Sequence, residues 1–235
     1  MLILGIETSA KACSAALCRD GELLAQSYSR TGLTHSRTLL PMIEDMLRNT
    51  ETPKESLDAV AVAYGPGSFT GIRIGISTAK GLCWGLDCKA IGVSTLEAMA
   101  QRASFLPENF LICAAMDARR NQVYNALFSV KDGSIVRETP DRAVSAEELS
   151  AQLQKAGKPV WVMGDGAEIC AKSLSEHGVA YTLAPEELRW QNAFGVCLAA
   201  QGKTPIGAED LLPEYLRLSQ AERERQSRLS GAESN

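Results

Sequence analysis

The sequence predicts an α/β protein of two similar lobes, each with the order βββαβα. Three observations carry that expectation. An apolar run opens each half and ends on an acidic residue, Glu7 in the first and Asp117 in the second. An Asp-Gly pair suited to a tight hairpin, Asp20-Gly21 or Asp132-Gly133, follows roughly 13–15 residues later. Each half then passes from strand-like runs to helical periodicity. Two such units describe a pair of RNase-H-like lobes, the actin-like (ASKHA) architecture shared with sugar kinases.

The elements follow in order. "LILGIE" (2–7), "CSAALC" (13–18) and "ELLAQSYS" (22–29) read as three successive strands, and "SRTLLPMIEDMLRN" (36–49) as a helix. "LDAVAVAYG" (57–65) is a continuous apolar run suited to a strand covered on both faces. A second helix is expected over 69–86, then a strand at 89–93 and a helix at 95–103. The second half repeats the start, with strands at 110–117, 122–130 and 134–138, a helix at 146–157 and a strand at 159–164. Further helical segments follow. The expected division is an N-terminal lobe over 1–105 carrying partner-binding helices and a C-terminal lobe over 106–219. The tail over 220–235 is charged and lacks an apolar face, so disorder is expected there.

Composition narrows the function classes. With 24 basic and 28 acidic residues the net charge is −4, so the molecule as a whole carries no basic field for nucleic acid. The short apolar start, "MLILGIETS", has no basic leader and reads as a buried strand. No apolar run approaches a membrane span, and the expected location is cytoplasmic. Seven cysteines are scattered with no C-x-x-C pair, which fits buried, reduced thiols better than zinc or redox motifs. Two histidines, His35 and His177, leave little for a histidine metal site or triad.

"GPGSFTGIRIG" (65–75) is the most distinctive stretch. It lacks the closing Gly-Lys-Ser/Thr of a Walker A loop. Ser68 is a good N-cap for the helix that starts at Phe69. In an actin-like fold, phosphates sit in hairpin turns between the lobes beside metal-holding carboxylates. Glu7-Thr8-Ser9 and Asp117 stand at those places, which allows an ATP–magnesium reading. Against it, Glu replaces the shorter Asp at position 7, and "TSAKACS" lacks a glycine-rich hairpin. The competing reading makes Thr8 and Ser9 turn residues and Glu7 a capped or solvent-facing carboxylate.

The two longest helices carry wide apolar arcs. On the helix over 69–86, Gly71, Ile72, Gly75, Ile76 and Ala79 share an arc much wider than the stripe of about 100° that one-sided packing needs. Each helical glycine costs about 1 kcal/mol relative to alanine, so the Gly71/Gly75 spacing points to close backbone approach. On the helix over 36–49, Leu39, Met42 and Met46 belong to a similar arc, with both methionines toward one edge. These eight residues are the candidate partner interface; packing inside this chain explains the same arcs equally well. No catalytic, cofactor or metal residues are assigned.

Six blocks, "HSRTLLPMI" (35–43), "GPGSFTGIRIG" (65–75), "AKGLCWGL" (79–86), "GVSTLEAMA" (92–100), "MDARRNQVY" (116–124) and "LPEYLR" (212–217), together resemble the TsaB family, also called YeaZ. The middle of the second lobe matches in outline only. The resemblance implies the actin-like fold and a place in the bacterial machinery that makes threonylcarbamoyladenosine in transfer RNA. It implies a non-catalytic subunit without a cofactor of its own, which pairs with a TsaD-type catalytic subunit. That partner acts on the adenosine beside the anticodon, and a TsaE-type ATPase docks on the pair. Transfer RNA is then met through the complex, and whether the isolated chain forms a homodimer stays open. TsaD-type proteins carry Gly-Val-Asn-His-Leu-Glu-Gly-His, whose histidines bind a metal. This chain reads "GVSTLEAM" at 92–99, with Thr95 and Met99 at those positions, and neither is a good ligand for iron or zinc. The family often has Asp-Thr-Ser where this chain has Glu7-Thr8-Ser9. The alternative function is an ATP-dependent phosphotransferase or ATPase of the same fold.

Overall fold

A computed structural model describes residues 1–217, and the charged tail from residue 220 lies outside them. The first sheet contains β1 (Leu2–Glu7), β2 (Cys13–Arg19), β3 (Glu22–Ser29), β4 (Ala59–Gly65) and β5 (Lys89–Ser94), in the order β3-β2-β1-β4-β5. β1 runs antiparallel to β2 and parallel to β4. The second sheet contains β6 (Leu111–Asp117), β7 (Gln122–Lys131), β8 (Ser134–Arg137), β10 (Val160–Met163) and β11 (Tyr181–Leu183), in the order β8-β7-β6-β10-β11, with β9 (Arg142–Ser145) paired to β7 off this path. The same path is therefore drawn twice, which makes the fold actin-like. Both hairpins turn on the expected pairs, with Asp20 at φ +50° and Asp132 at φ +50° preceding glycines at +87° and +72°. Such positive values match the twist of the flanking strands.

Helices cover both faces of each sheet. α1 (His35–Asn49) and α2 (Phe69–Leu86) lie on one face of the first, where Leu4, Ile6 and Leu17 meet Leu39, Ile43 and Ile72. Each of these fully buried side chains contributes about 1.5–3 kcal/mol through removal from water. α7 (Ala193–Ala200), apolar on all sides as "AFGVCLAA", covers the other face through Val196 and Cys197. On the second sheet, α4 (Ala146–Ala156) and α5 (Ala167–Glu176) take one face, and α3 (Thr95–Gln101) takes the other with Leu96 and Met99.

A boundary at residue 105 thus separates the strands but not the helices. α3 precedes the boundary yet packs on the second sheet, while α7 follows it and packs on the first. The two helices cross between the sheets so closely that a Cβ on Gly195 would overlap the Ala98 carbonyl. The chain then returns to the first lobe. Ile206 pairs with Ala90, Ala208 and Leu211 enter the first core, and the segment to Arg217 forms a strap across that lobe. α6 (Glu186–Arg189) falls among the further helical segments, while β9 and β11 were not expected from the sequence. With three or four residues each, they show too little periodicity to be read.

Candidate functional site

A cleft of about 740 Å3 opens between the lobes. Its walls come from the β1–β2 turn, the start of α2, the β6–β7 turn and the loop after β10. Glu7, at the end of β1, is fully buried, so of the capped or solvent-facing carboxylate that one sequence reading expects only the capped form fits. One of its oxygens accepts from the Ser9 amide at 2.6 Å, and the other has no partner. Burial pushes its carboxyl up to about 7. Asp165 is also raised by burial, and its carboxylate accepts from the Gln191 side chain at 2.7 Å. Asp117 accepts from the Arg119 amide at 2.7 Å.

Three amides around the first turn are committed within the protein. Ser9 donates to Glu7, Ser68 donates to the Ser9 carbonyl at 2.7 Å, and Gly71 donates to the Ser68 hydroxyl at 3.3 Å. The last contact is the expected N-cap of α2. His35 Nε2 donates to the Ala10 carbonyl at 2.8 Å and holds the turn from the other side. These three donors are taken and add nothing to a cradle for phosphate. Among the described residues, no three His, Cys, Asp or Glu side chains converge as metal ligands. Thr95 and Met99 are buried side chains between the lobes, with Met99 inside the second core.

The glycines of the distinctive stretch serve close packing. A Cβ on Gly71 would overlap the Thr8 carbonyl, and one on Gly75 would strike the Thr8 hydroxyl. Glu214, on the strap, donates its amide to the Tyr64 carbonyl at 3.0 Å. Tyr215 stacks on Phe69 with ring centroids 4.0 Å apart, and its hydroxyl accepts from Arg73 Nε at 2.9 Å. "LPEYLR" therefore clamps the start of α2.

A second feature is the outer face of α1 and α2, where a groove of about 440 Å3 runs between the helices. Of the eight candidate interface residues, Leu39 lines this groove and the other seven do not. Leu39, Met46, Gly71, Ile72, Gly75, Ile76 and Ala79 are buried in the first lobe's own core, and Met42 is half-buried. Met46 retains only 5 % of its exposure, so its expected position at a free edge is corrected. The residues facing outward are Leu40, 45 % exposed, with Arg73, Ser77 and half-buried Ile74. Periodicity identified the apolar arcs but not which part of each arc the sheet covers.

Comparison with known proteins agrees with this architecture. A family model described as TsaD, tRNA N6-adenosine threonylcarbamoyltransferase, matches residues 29–186. The chain is 32 % identical over 228 residues to the tRNA threonylcarbamoyladenosine biosynthesis protein TsaB of Bacillus subtilis, covering 94 % of this chain and 96 % of that one. It is 34 % identical over 223 residues to TsaB of Escherichia coli, covering 92 % and 95 %. The solved structure of YeaZ from Pseudomonas aeruginosa superposes with a TM-score of 0.75 at 28 % identity, over 92 % of this chain and 99 % of that one.

Proposed function

The chain belongs to the TsaB family, and from that premise we propose that it is a non-catalytic scaffold subunit for threonylcarbamoyladenosine formation in transfer RNA. A TsaD-type subunit performs the transfer, and this chain pairs with it through the outward side of α1 and α2. A TsaE-type ATPase docks on the pair. The observation that carries the scaffold reading is the state of the two places where chemistry would be expected. Thr95 and Met99 occupy the positions of a metal-binding histidine pair, and both are buried. The amides of Ser9 and Ser68 beside Glu7 are already bonded within the chain. The outer face, by contrast, presents Leu40 and Ile74 beside Arg73, an apolar centre with a polar rim as protein interfaces have. Of the eight residues read from the sequence, Leu39 lines this surface and the others support it from beneath.

The test is depletion of the chain in its own cell, with mass spectrometry of transfer-RNA nucleosides. Loss of threonylcarbamoyladenosine, restored by the chain together with its TsaD-type partner, is expected. Unchanged nucleoside levels after complete depletion would overturn the reading.

A further inference from the structure

We propose that the β6–β7 hairpin and the adjoining cleft rim bind the phosphate backbone of RNA directly. The inference rests on the proposed function, which supplies transfer RNA as the polymer present. Arg119, Arg120 and Asn121 lie consecutively at φ +67°, +55° and +57°. Three left-handed non-glycine residues in a row are sterically disfavoured and need support from their surroundings. That support is present on several sides. Asp117 accepts from the Arg119 amide, and the Asn121 carbonyl accepts from the Ala146 amide at 3.3 Å. Arg217, from the strap, donates to the Ala118 carbonyl at 2.7 Å.

The supported turn holds two arginines out in solvent. Arg119 keeps 81 % of its side-chain exposure, and its ion pair with Asp117 is loose at 3.7 Å. Arg120 is exposed as well. Lys11, Arg30 and Arg189 stand on the walls of the same cleft. The acidic groups facing them are Asp117, Asp165 and Glu168 at the cleft, and Glu186 on Arg30. Asp165 is raised by burial, and Glu168 meets Arg189 only at 3.7 Å. Lys11, Arg30, Arg119 and Arg189 match these four carboxylates in number, and Arg120 and Arg217 bring a local excess of cations to a chain whose net charge is −4. These last two lie beyond the cleft lining, so a polymer crossing the mouth meets both sets. Guanidinium groups suit phosphate by their paired donors.

The experiment uses the complex of this chain with its TsaD-type partner and unmodified transfer RNA, by fluorescence anisotropy at several salt concentrations. R119E/R120E is expected to weaken binding at least tenfold. The slope of log affinity against log salt should become shallower by about two, one for each lost phosphate contact. Circular dichroism and partner affinity should be unchanged. A second pair, K11E/R120E, spans two elements and serves if the first does not fold. Equal RNA affinity with an intact complex would overturn the proposal. Loss of partner binding would also overturn it, because the hairpin would then be a protein contact. If the wild-type chain pairs with no TsaD-type subunit, the proposed function fails instead. The same variants tested on the chain alone at low salt then decide the surface, and unchanged RNA affinity there overturns it.

Discussion

The hydroxyl of Thr8 donates to the carbonyl of Gly71 at 2.8 Å, tying the end of the first strand to the first turn of a helix 63 residues later. The helix can come this close only because Gly71 and Gly75 have no side chain. A glycine-rich turn before a helix invites a phosphate-binding reading; here the helix presses against the turn where a phosphate would sit.

Gly71→Ala should destabilise the fold by about 3 kcal/mol, because the new methyl overlaps backbone that cannot swing aside. Gly81→Ala on the same helix meets nothing within 4 Å. It should stabilise by about 0.5–1 kcal/mol through reduced freedom of the unfolded chain. Urea denaturation of both variants checks the contrast. Equal effects would show that the helix does not press on Thr8.

Glu7 should make stability depend on pH in an unusual direction for a carboxylate. Burial raises its folded value from 4.5 to about 7, so the native state holds the proton more tightly than the unfolded chain. Its contribution is fully present below pH 4.5 and is lost as pH rises through about 7. The loss amounts to about 3 kcal/mol, an order of magnitude set by the size of the shift. Glu7→Gln should flatten this part of the curve, leaving the variant more stable than the wild type at pH 8. Thermal melts of both proteins from pH 5 to 8 give the answer, and parallel profiles would place the titration elsewhere.

The outer face of α1 and α2 makes a prediction opposite in kind to that for the core beneath it. Leu40→Glu should leave the fold within about 0.5 kcal/mol of the wild type, as surface changes do, while weakening the TsaD-type complex at least tenfold. Met46→Glu places a carboxylate in the core and should cost about 3 kcal/mol or more, enough to unfold much of the protein. Size-exclusion chromatography and circular dichroism distinguish the two. A folded Leu40→Glu chain that still pairs normally removes that surface from the interface.

Much of the architecture was legible in the sequence because it rests on local signals. Asp20-Gly21 and Asp132-Gly133 fixed two hairpins, and the Ser68 cap fixed the start of α2, whose range Phe69–Leu86 matches the expected one. Other features depend on contacts distant in sequence. The burial of Glu7 comes with α2 pressed on the adjoining Thr8 and with Asp165 nearby, and neither lies near it in the chain. Leu40 and Met46 belong to one apolar arc, and only the position of the sheet makes one a surface residue and the other core. "LPEYLR" was visible as a motif, yet its clamp on Phe69 and Arg73 spans more than 140 residues, Arg73 to Tyr215 being 142 apart.

The exchange of α3 and α7 between the lobes sets an order for synthesis on the ribosome. The first sheet's strands have all been synthesised once Ser94 is added, but α7, which covers one of its faces, begins only at Ala193. At about 5–20 residues per second, that face waits roughly 5–20 s for its cover. The nascent first lobe is therefore a sheet dressed on one side, and its apolar alanine, valine and isoleucine face stays bare until almost the whole chain has been translated. Closure of the first lobe is thereby joined to synthesis of the second, because its open face is covered only when the last helix arrives.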